Sequence, residues 1–447
     1  MEFKDFKTFV ADAAKRAGIE DYELYYASKE ESEVSLFNGE PTDFTASLTG
    51  GVAFRCIVGG HMGSAGTQEL SPEQAESLVR RARDNALTLE KEAEVFFAEG
   101  GAAYPECKPM AMSVLTPDQL MQAALAANEA LKVSHEKITD SCSTQAVTLQ
   151  TQTSLMNSRG VDLSWTNSVD AVILDAVVSD GTEDNEDFEI KAGNPADLDL
   201  KGTAEKIAAR AAAKLGAGVA PTGAYPVIFA PSAMYSLLLT FASAFSAENA
   251  RKGLSALKGK EGESIASELV TLTDDPFYPE NVYPRPFDGE GSPTARKDLI
   301  AGGVLKTLLY DLSTAHAAGK QTTGNASRSG YDSPVSIQPY TLVLAPGKLT
   351  EEALLAKCGN GVWIDTLGGT HAGANPISGD FSLQSSGFMV EDGKKTTAVR
   401  SFTVSGNFFD LLKNITALSD KAELPRIGLP SVAAPAVLVK ELTISGK

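Results

Sequence analysis

A zinc ion held by a helix asks for two histidines four or five residues apart, so that both imidazoles reach one ion. The chain has four histidines, His61, His135, His316 and His371, and no two are so spaced. His135-Glu136 opens such a motif, but Thr139 and Asp140 stand where the second histidine belongs. There is no GxxxxGK[ST] phosphate cradle, no GxSxG nucleophile elbow and no GxGxxG after an expected strand. Ser255-Ala-Leu-Lys258 fits SxxK, a pattern short enough for chance to supply. Cys358 and His371 could act as nucleophile and base if folding joins them. With Asp365 and Asp380 they could also hold a metal, provided loop residues converge.

The more informative chemistry lies in three segments rich in Gly and small polar residues: Phe287–Asp311, Thr323–Arg328 and Gly368–Lys394. Such runs are either tight hairpin turns or a cleft wall where another backbone comes close. A cleft wall of this kind takes an extended peptide by main-chain hydrogen bonds at a strand edge and needs little side-chain chemistry. The residues that would face a peptide are His371, Asn375, Asp380, Asn325 and Arg328. Both asparagines offer a donor and an acceptor to peptide amides, and Arg328 can fix a carboxylate. A local turn or ion-pair role is the competing reading for each. Arg55 and His61, in a strand and its exit turn, are weaker candidates of the same kind.

These residues need elements to carry them. An amphipathic helix opens the chain, with Phe3, Phe6, Phe9, Val10, Ala13 and Ala14 at helical spacing. Strand patterns follow at Glu23–Ala27, Glu33–Phe37, Phe44–Leu48 and Gly51–Val58, with Asn38-Gly39 as a hairpin turn. Helices are expected at Ser71–Leu89, Thr116–Lys132 and Asp199–Leu215, and strands at Gln145–Asn157 and Val161–Val178. Residues 94–113 read as a loop, and the acidic run Asp180–Asp187 as a solvated one. Pro221–Tyr225 reads as a linker. Beyond it come a strand at Pro226–Ala230, a helix over 232–247 that is apolar nearly all round, and a short helix near Gly262–Ala266. From Glu268 the pattern is strands and Gly-rich turns, with a helix at Glu351–Lys357 and at most a turn at Ala317–Gly319. Helices and strands do not alternate regularly, so the fold class is α+β. Two domains are expected: an N-terminal α/β domain over 1–221, and a strand-rich domain over 222–447 built around the buried helix.

Lys+Arg number 39 and Asp+Glu 58, and 39 − 58 = −19. An acidic surface repels phosphate backbones, so direct nucleic-acid binding is not expected. No window approaches 18 apolar residues, so no membrane span is expected. The N-terminus lacks the unbroken apolar centre of an export signal, which argues for a cytoplasmic protein. Cys56, Cys107, Cys142 and Cys358 lie far apart and are expected as free thiols.

The stretch Gly51–Ala86, GVAFRCIVGGHMGSAGTQELSPEQAESLVRRARDNA, resembles the N-terminal signature of the TldD/PmbA family, once called modulators of DNA gyrase. FDGEGSPTARKDLIAGG, TTGNASR and GGTHAGANPISGDFSLQSSGF resemble its C-terminal half, in the same order, so that the resemblance covers nearly the whole chain. The TldD branch of that family carries a zinc-binding HExxxH on the first helix of the C-terminal half, with a late cysteine as a further ligand. The PmbA (TldE) branch lacks both. Carried onto this sequence, Thr240 takes the place of the first His, Phe241 of the Glu and Phe245 of the second His, and Asn407–Lys447 contains no Cys. A hydroxyl and two phenyl rings cannot hold Zn²⁺, and no carboxylate remains to activate water. The resemblance therefore implies the PmbA branch. It implies no catalytic residue and no cofactor in this chain, with zinc in a TldD-type partner. It also implies a heterodimer with that partner, or a homodimer, acting on unfolded polypeptides and peptide precursors. Two other readings stay open: an independent metallopeptidase with an unrecognised site, and a non-enzymatic peptide-binding module.

Overall fold

Alternation along two long strands organises the first half of the chain. In the computed structural model, which describes residues 1–88, 96–110 and 112–447, the first half is one six-stranded antiparallel sheet with four helices on one face. The helices are α1 (Phe3–Arg16), α2 (Pro72–Thr88), α3 (Pro117–Lys132) and α4 (Leu200–Ala212). The strands are β1 (Asp21–Phe37), β2 (Glu40–Val58), β3 (His61–Thr67), β4 (Ser143–Asn157), β5 (Asp162–Ser179) and β6 (Asp184–Ala192), in the order β3-β2-β1-β4-β5-β6. Leu24 of β1, with Val52 and Phe54 of β2, packs under α1 and α2. Val34 and Leu36 of the same face of β1 pack with Val172 and Leu174 under α3 and α4. The residues between, such as Glu23 and Tyr25, point to the opposite face, as the period of two requires.

β1 and β2 are each one strand where the sequence pattern suggests two fragments. The middle of the hairpin, Lys29–Glu30 opposite Leu48–Thr49, is exposed, so no buried face imposes alternation there. Asn38 and Gly39 make the turn with φ of 51° and 76°. The Gly-rich run after His61 is a strand and not an exit turn. Gly63 lies so close to α2 that a Cβ would stand 1.9 Å from the Ala82 carbonyl oxygen, which explains why this strand position carries no side chain. Gly63→Ala is expected to lower stability by about 1–3 kcal/mol through this clash, read as a lower urea midpoint. The acidic run is a turn only to Glu183; β6 starts at Asp184 because Phe188 and Ile190 alternate with charged residues against β5. Leu89, the last residue of the helix expected at Ser71–Leu89, and residues 94, 95 and 111 of the expected loop lie outside the described residues.

The remaining strands are β7 (Gly223–Phe229), β8 (Leu272–Asp274), β9 (Lys297–Ala301), β10 (Val304–Leu305), β11 (Ala326–Ser327), β12 (Ser336–Ile337), β13 (Thr341–Leu344), β14 (Gly361–Gly368), β15 (Asp380–Glu391), β16 (Lys394–Asn407), β17 (Ile415–Leu418), β18 (Ser431–Ala433) and β19 (Val437–Ser445). β16 pairs with β15 on one side and β19 on the other, so β16-β15-β14-β7-β19 closes into a barrel, with β17 added beside β19. A second sheet runs β10-β9-β8-β13-β18. β7 begins two residues inside the expected linker.

The buried helix, α5 (Pro231–Phe241), lies between the barrel and the second sheet. It is shorter than expected: the chain tightens into a 3₁₀ turn over Ala242–Phe245 before a further short helix at Ala247–Arg251. Phe241 stacks on Phe408, ring centroids 4.4 Å apart, and Phe245 is equally buried. No helix forms near Gly262–Ala266. Gly262 has φ of 90° and its N–H bonds the Leu305 carbonyl, which holds the segment as a loop against β10. Residues Leu312–Ala317, where no helix is expected, form one because Asp311 and Thr314 close a capping box at its start, and the expected turn follows at Ala318–Gly319. Two short helices, Thr370–Gly373 and Phe408–Lys413, were not expected from the Gly-rich and strand-like patterns around them. No helix among the described residues is long and apolar enough to cross a membrane.

Candidate functional site

A cavity of about 920 Å³ opens between the two halves. One wall is β6 with α4; the other is α5, β14 and the loop Lys421–Arg426. Five consecutive residues of β6, Asp187 through Lys191, line it. Side chains alternate along a strand, so consecutive residues line a cavity together only when the strand's edge faces it. β6 is the last strand of its sheet, and among the described residues no strand pairs with this edge.

The cavity wall carries opposed charges. Arg210 bonds Asp187 at 2.7 Å and Glu189 at 3.2 Å, and Lys191 lies 2.6 Å from Glu189. Burial pushes the Glu189 carboxyl up, but Lys191, Lys206 and Arg210 together hold it below the usual carboxylate range. Across the cavity Lys214 meets Asp365 at 3.2 Å, and Lys395 lies 3.4 Å over the Trp363 ring. Arg426 sits 4.8 Å from the Phe188 ring of β6 and 5.9 Å from the Tyr235 ring of α5. It has no carboxylate partner among the described residues.

α5 turns Tyr235, Ser236, Leu239 and Thr240 toward this space. Its serine and threonine hydroxyls are spent on backbone. Thr240 Oγ1 donates to the Ser236 carbonyl at 2.7 Å, Ser236 to that of Ser232, and Ser232 to that of Asp365 at 2.6 Å. Phe241 and Phe245 point away, into the core. The residues at the HExxxH positions therefore do not fit a zinc ion in type or direction. Among the described residues no group of three His, Cys, Asp or Glu could hold a metal. Thr240→His/Phe241→Glu/Phe245→His is expected to unfold the protein rather than create a site. It places a carboxylate and an imidazole among packed rings, at a cost above about 4 kcal/mol. Loss of the cooperative melt, measured by circular dichroism, checks this.

The five sequence-derived candidates fall in two places, His371, Asn375 and Asp380 in the segment leading into β15 and Asn325 and Arg328 in the interior. His371 is exposed on the helix Thr370–Gly373, one residue from Thr370 at the cavity rim. Asn375 Oδ1 accepts from the N–H groups of Ile377 and Ser378, and Asp380 accepts from Ser378 and from Asn407 at 2.9 Å. These two build the turn before β15. The Asn407 and Ser378 hydrogen bonds hold the Asp380 carboxyl below its usual range. Asn325 is buried within the C-terminal half and Arg328 between the halves, and neither is free for a peptide. Asn325 donates to Asp274 at 2.7 Å and to the Gln338 carbonyl at 2.9 Å, and accepts from Lys297 at 2.9 Å. Arg328 bonds Glu23 and stacks 4.2 Å over Tyr25.

Arg55 also bonds Glu23, at 2.8 Å, so that one fully buried carboxylate joins β1 and β2 to the C-terminal half. His61 begins β3. Cys358 is buried behind the barrel with Trp363 and Leu438, apart from His371, and burial pushes its thiol up to about 11. Ser255 is buried and donates to the Ala244 carbonyl, while Lys258 is exposed. The cavity residues that sequence reading did not reach are those of β6, with Lys214, Tyr235 and Arg426. Phe188 and Ile190 alternating with Asp187, Glu189 and Lys191 were the available signal.

Similarity to known proteins runs along the whole chain. The PmbA/TldA metallopeptidase C-terminal domain matches residues 222–446, and domain 1 of the same group matches residues 22–86. A Haemophilus influenzae metalloprotease PmbA homologue is 25% identical over 462 aligned positions, covering 100% of this chain and 96% of that one. A solved Thermotoga maritima structure, described as a modulator of a DNA gyrase, matches with a TM-score of 0.89 at 30% identity, over 99% of this chain and 100% of that one. TldE from Thermococcus kodakarensis matches with a TM-score of 0.89 at 24% identity, over 98% and 99%, which shows a shared fold. Against two archaeal relatives the match spans less than half of their length.

Proposed function

The chain belongs to the PmbA/TldD metallopeptidase family, and on that footing we propose that it is a cleft-forming subunit of the PmbA (TldE) kind. It holds an extended polypeptide and leaves cutting to a zinc-bearing, TldD-type partner. The observation that carries this reading is the unpaired edge of β6 along the 920 Å³ cavity. An extended peptide adds there as a further strand. Main-chain N–H and C=O groups supply the bonds, and side chains of either kind are tolerated. A folded domain cannot offer such a strand, so the preference is for unfolded segments. The charged walls and the rings of Phe188, Tyr235 and Trp363 give the peptide's side chains both polar and apolar contacts. Thr240, Phe241 and Phe245 leave this chain without a metal site of the family's kind, so zinc belongs to the partner.

A twelve-residue unfolded peptide, followed through the fluorescence of Trp363, tests the reading. Binding is expected, and N-methylation of alternate backbone amides is expected to weaken it at least about ten-fold, since each methyl removes a ladder donor. Equal binding of both peptides, or none of either, would sink the proposal. Elemental analysis of protein purified without chelator or tag is expected to find no stoichiometric zinc, and peptidase activity is expected only when an HExxxH-bearing chain is added.

A further inference from the structure

A second cavity, of about 470 Å³, lies between the halves and shares no residue with the first. Ala53 and Arg55 of β2, with Ser64 and Met62 of β3, form its floor on the sheet face turned away from α1 and α2. The C-terminal half supplies the walls: Glu290, Asp311 at the start of the helix Leu312–Ala317, and the segment Asp332–Ile337. Ser64, Asp332 and Pro334 are exposed at its mouth. Three charged side chains reach this cavity with bonding capacity left over. Arg55 gives Nε and Nη2 to Glu23 and keeps Nη1. Buried Glu290 accepts the Leu312 N–H on Oε2 and keeps Oε1. Buried Asp311 accepts from Thr314 on Oδ1 and keeps Oδ2. Among the described residues none of the three spare atoms has a partner, and none is sealed from solvent. Arg55 and Glu290 act on each other's charge, yet no ion pair joins them. The space between them holds a donor and an acceptor of opposite character, each left unsatisfied by the chain itself.

We propose that this cavity binds a small zwitterion, an apolar α-amino acid or a dipeptide of such residues, with its carboxylate on Arg55 and its ammonium on Glu290 and Asp311. The ligand's side chain lies against Ala53, Met62, Val335 and Ile337. A ligand of a single sign is disfavoured. An anion meets Asp311 and nearby Asp288, and a cation meets Arg55 and Arg328, which share the one carboxylate of Glu23. A zwitterion answers both signs at once. Glu248, also in the lining, is already paired with Arg251 and Lys252, and Asp332 stands out at the mouth. Burial, and then Asp288, hold a proton on Glu290 against the pull of Arg55. An arriving ammonium takes the place of that proton, which leaves to solvent as Glu290 becomes the carboxylate partner. The site does not rest on the cleft along β6, and it stands whether or not that edge takes a peptide.

Isothermal titration of the full chain with L-leucine and with leucyl-leucine tests this. Saturable binding of at least one is expected, and the tighter of the two tells whether the site takes an amino acid or a dipeptide. Leucinamide, which lacks the carboxylate, and isocaproate, which lacks the ammonium, are expected to bind at least about ten-fold more weakly than leucine or the dipeptide. Near pH 7 binding is expected to release about one proton, read as heats that differ between phosphate and Tris buffers. Glu290→Gln is expected to abolish the release and to weaken binding about ten-fold, with its cooperative melt retained. No saturable binding of either zwitterion would overturn the proposal. So would leucinamide or isocaproate binding as well as the zwitterions, or a folded E290Q that binds and releases protons as wild type does. The analogues act on the unaltered chain, so the result does not depend on how the variant folds.

Discussion

Glu23→Gln is expected to lower stability by about 3–5 kcal/mol, the cost of leaving buried charges without their partner. Glu23 is fully buried and takes hydrogen bonds from both Arg55 and Arg328. Its own burial pushes the carboxyl up, but the two guanidinium groups hold it below the usual carboxylate range, so it is ionised. Neutral glutamine leaves the two arginines without the carboxylate that joins them, Arg328 almost wholly enclosed and Arg55 largely so. Arg328 cannot swing out, because it lies over Tyr25 and its side chain is almost wholly enclosed. The loss shows as a lower urea midpoint, and on heating as a melt roughly 10 °C lower. A change below about 1 kcal/mol would mean that the three groups do not act as a unit. Arg55→Lys is expected to cost less, because one buried guanidinium and the anion remain.

The second large effect is on pH dependence. Burial, reinforced by neighbouring Asp288, pushes the Glu290 carboxyl up to about 8 from an ordinary 4.5. Burial also raises Asp288 to about 6, against three backbone N–H groups that favour its charged form. A carboxyl with a raised pKa keeps its proton in the folded chain at pH values where the unfolded chain has lost it. The folded state then binds more protons than the unfolded one, so stability falls as pH rises between about 4.5 and 8. The slope from Glu290 alone is at most about 1.4 kcal/mol per pH unit. Glu290→Gln keeps an oxygen for the Leu312 N–H, which the glutamate accepts at 2.9 Å, and removes the titration. Unfolding free energies measured in urea from about pH 5 to about pH 8 are expected to fall in wild type. In E290Q they fall less, and the difference grows by several kcal/mol across the range. Parallel curves for the two proteins would show that Glu290 is ionised in the folded state.

Much of the architecture was legible where one face of an element is buried. The period of α3 and its cap at Thr116, the hairpin at Asn38-Gly39 and the apolar surround of α5 follow from local chemistry. Legibility failed where burial comes from far along the chain. β6 hides in an acidic run because its alternation serves a sheet on one side and a cavity on the other. Gly63 carries no strand propensity, and only the approach of α2 explains it. Asn325 and Arg328 look like binding groups because their partners, Asp274 and Glu23, lie 51 and 305 residues away. A polar residue among small ones signals a site or a buried network with equal force, and only the fold separates the two.

The closing of the barrel bears on how the chain is made. β7 is the first strand of the C-terminal half, and β19 pairs with it in a register that sets Val437 against Phe229. The separation is 437 − 229 = 208 residues, and β19 also joins β16. During synthesis the first sheet and its four helices can assemble as soon as α4 has emerged, whereas β7 and β16 keep bare edges until β19 has emerged. Contacts so distant form slowly. A ribosome that stalls before Val437 thus releases a chain with a finished first half and two open strand edges, a form suited to capture by chaperones or to degradation.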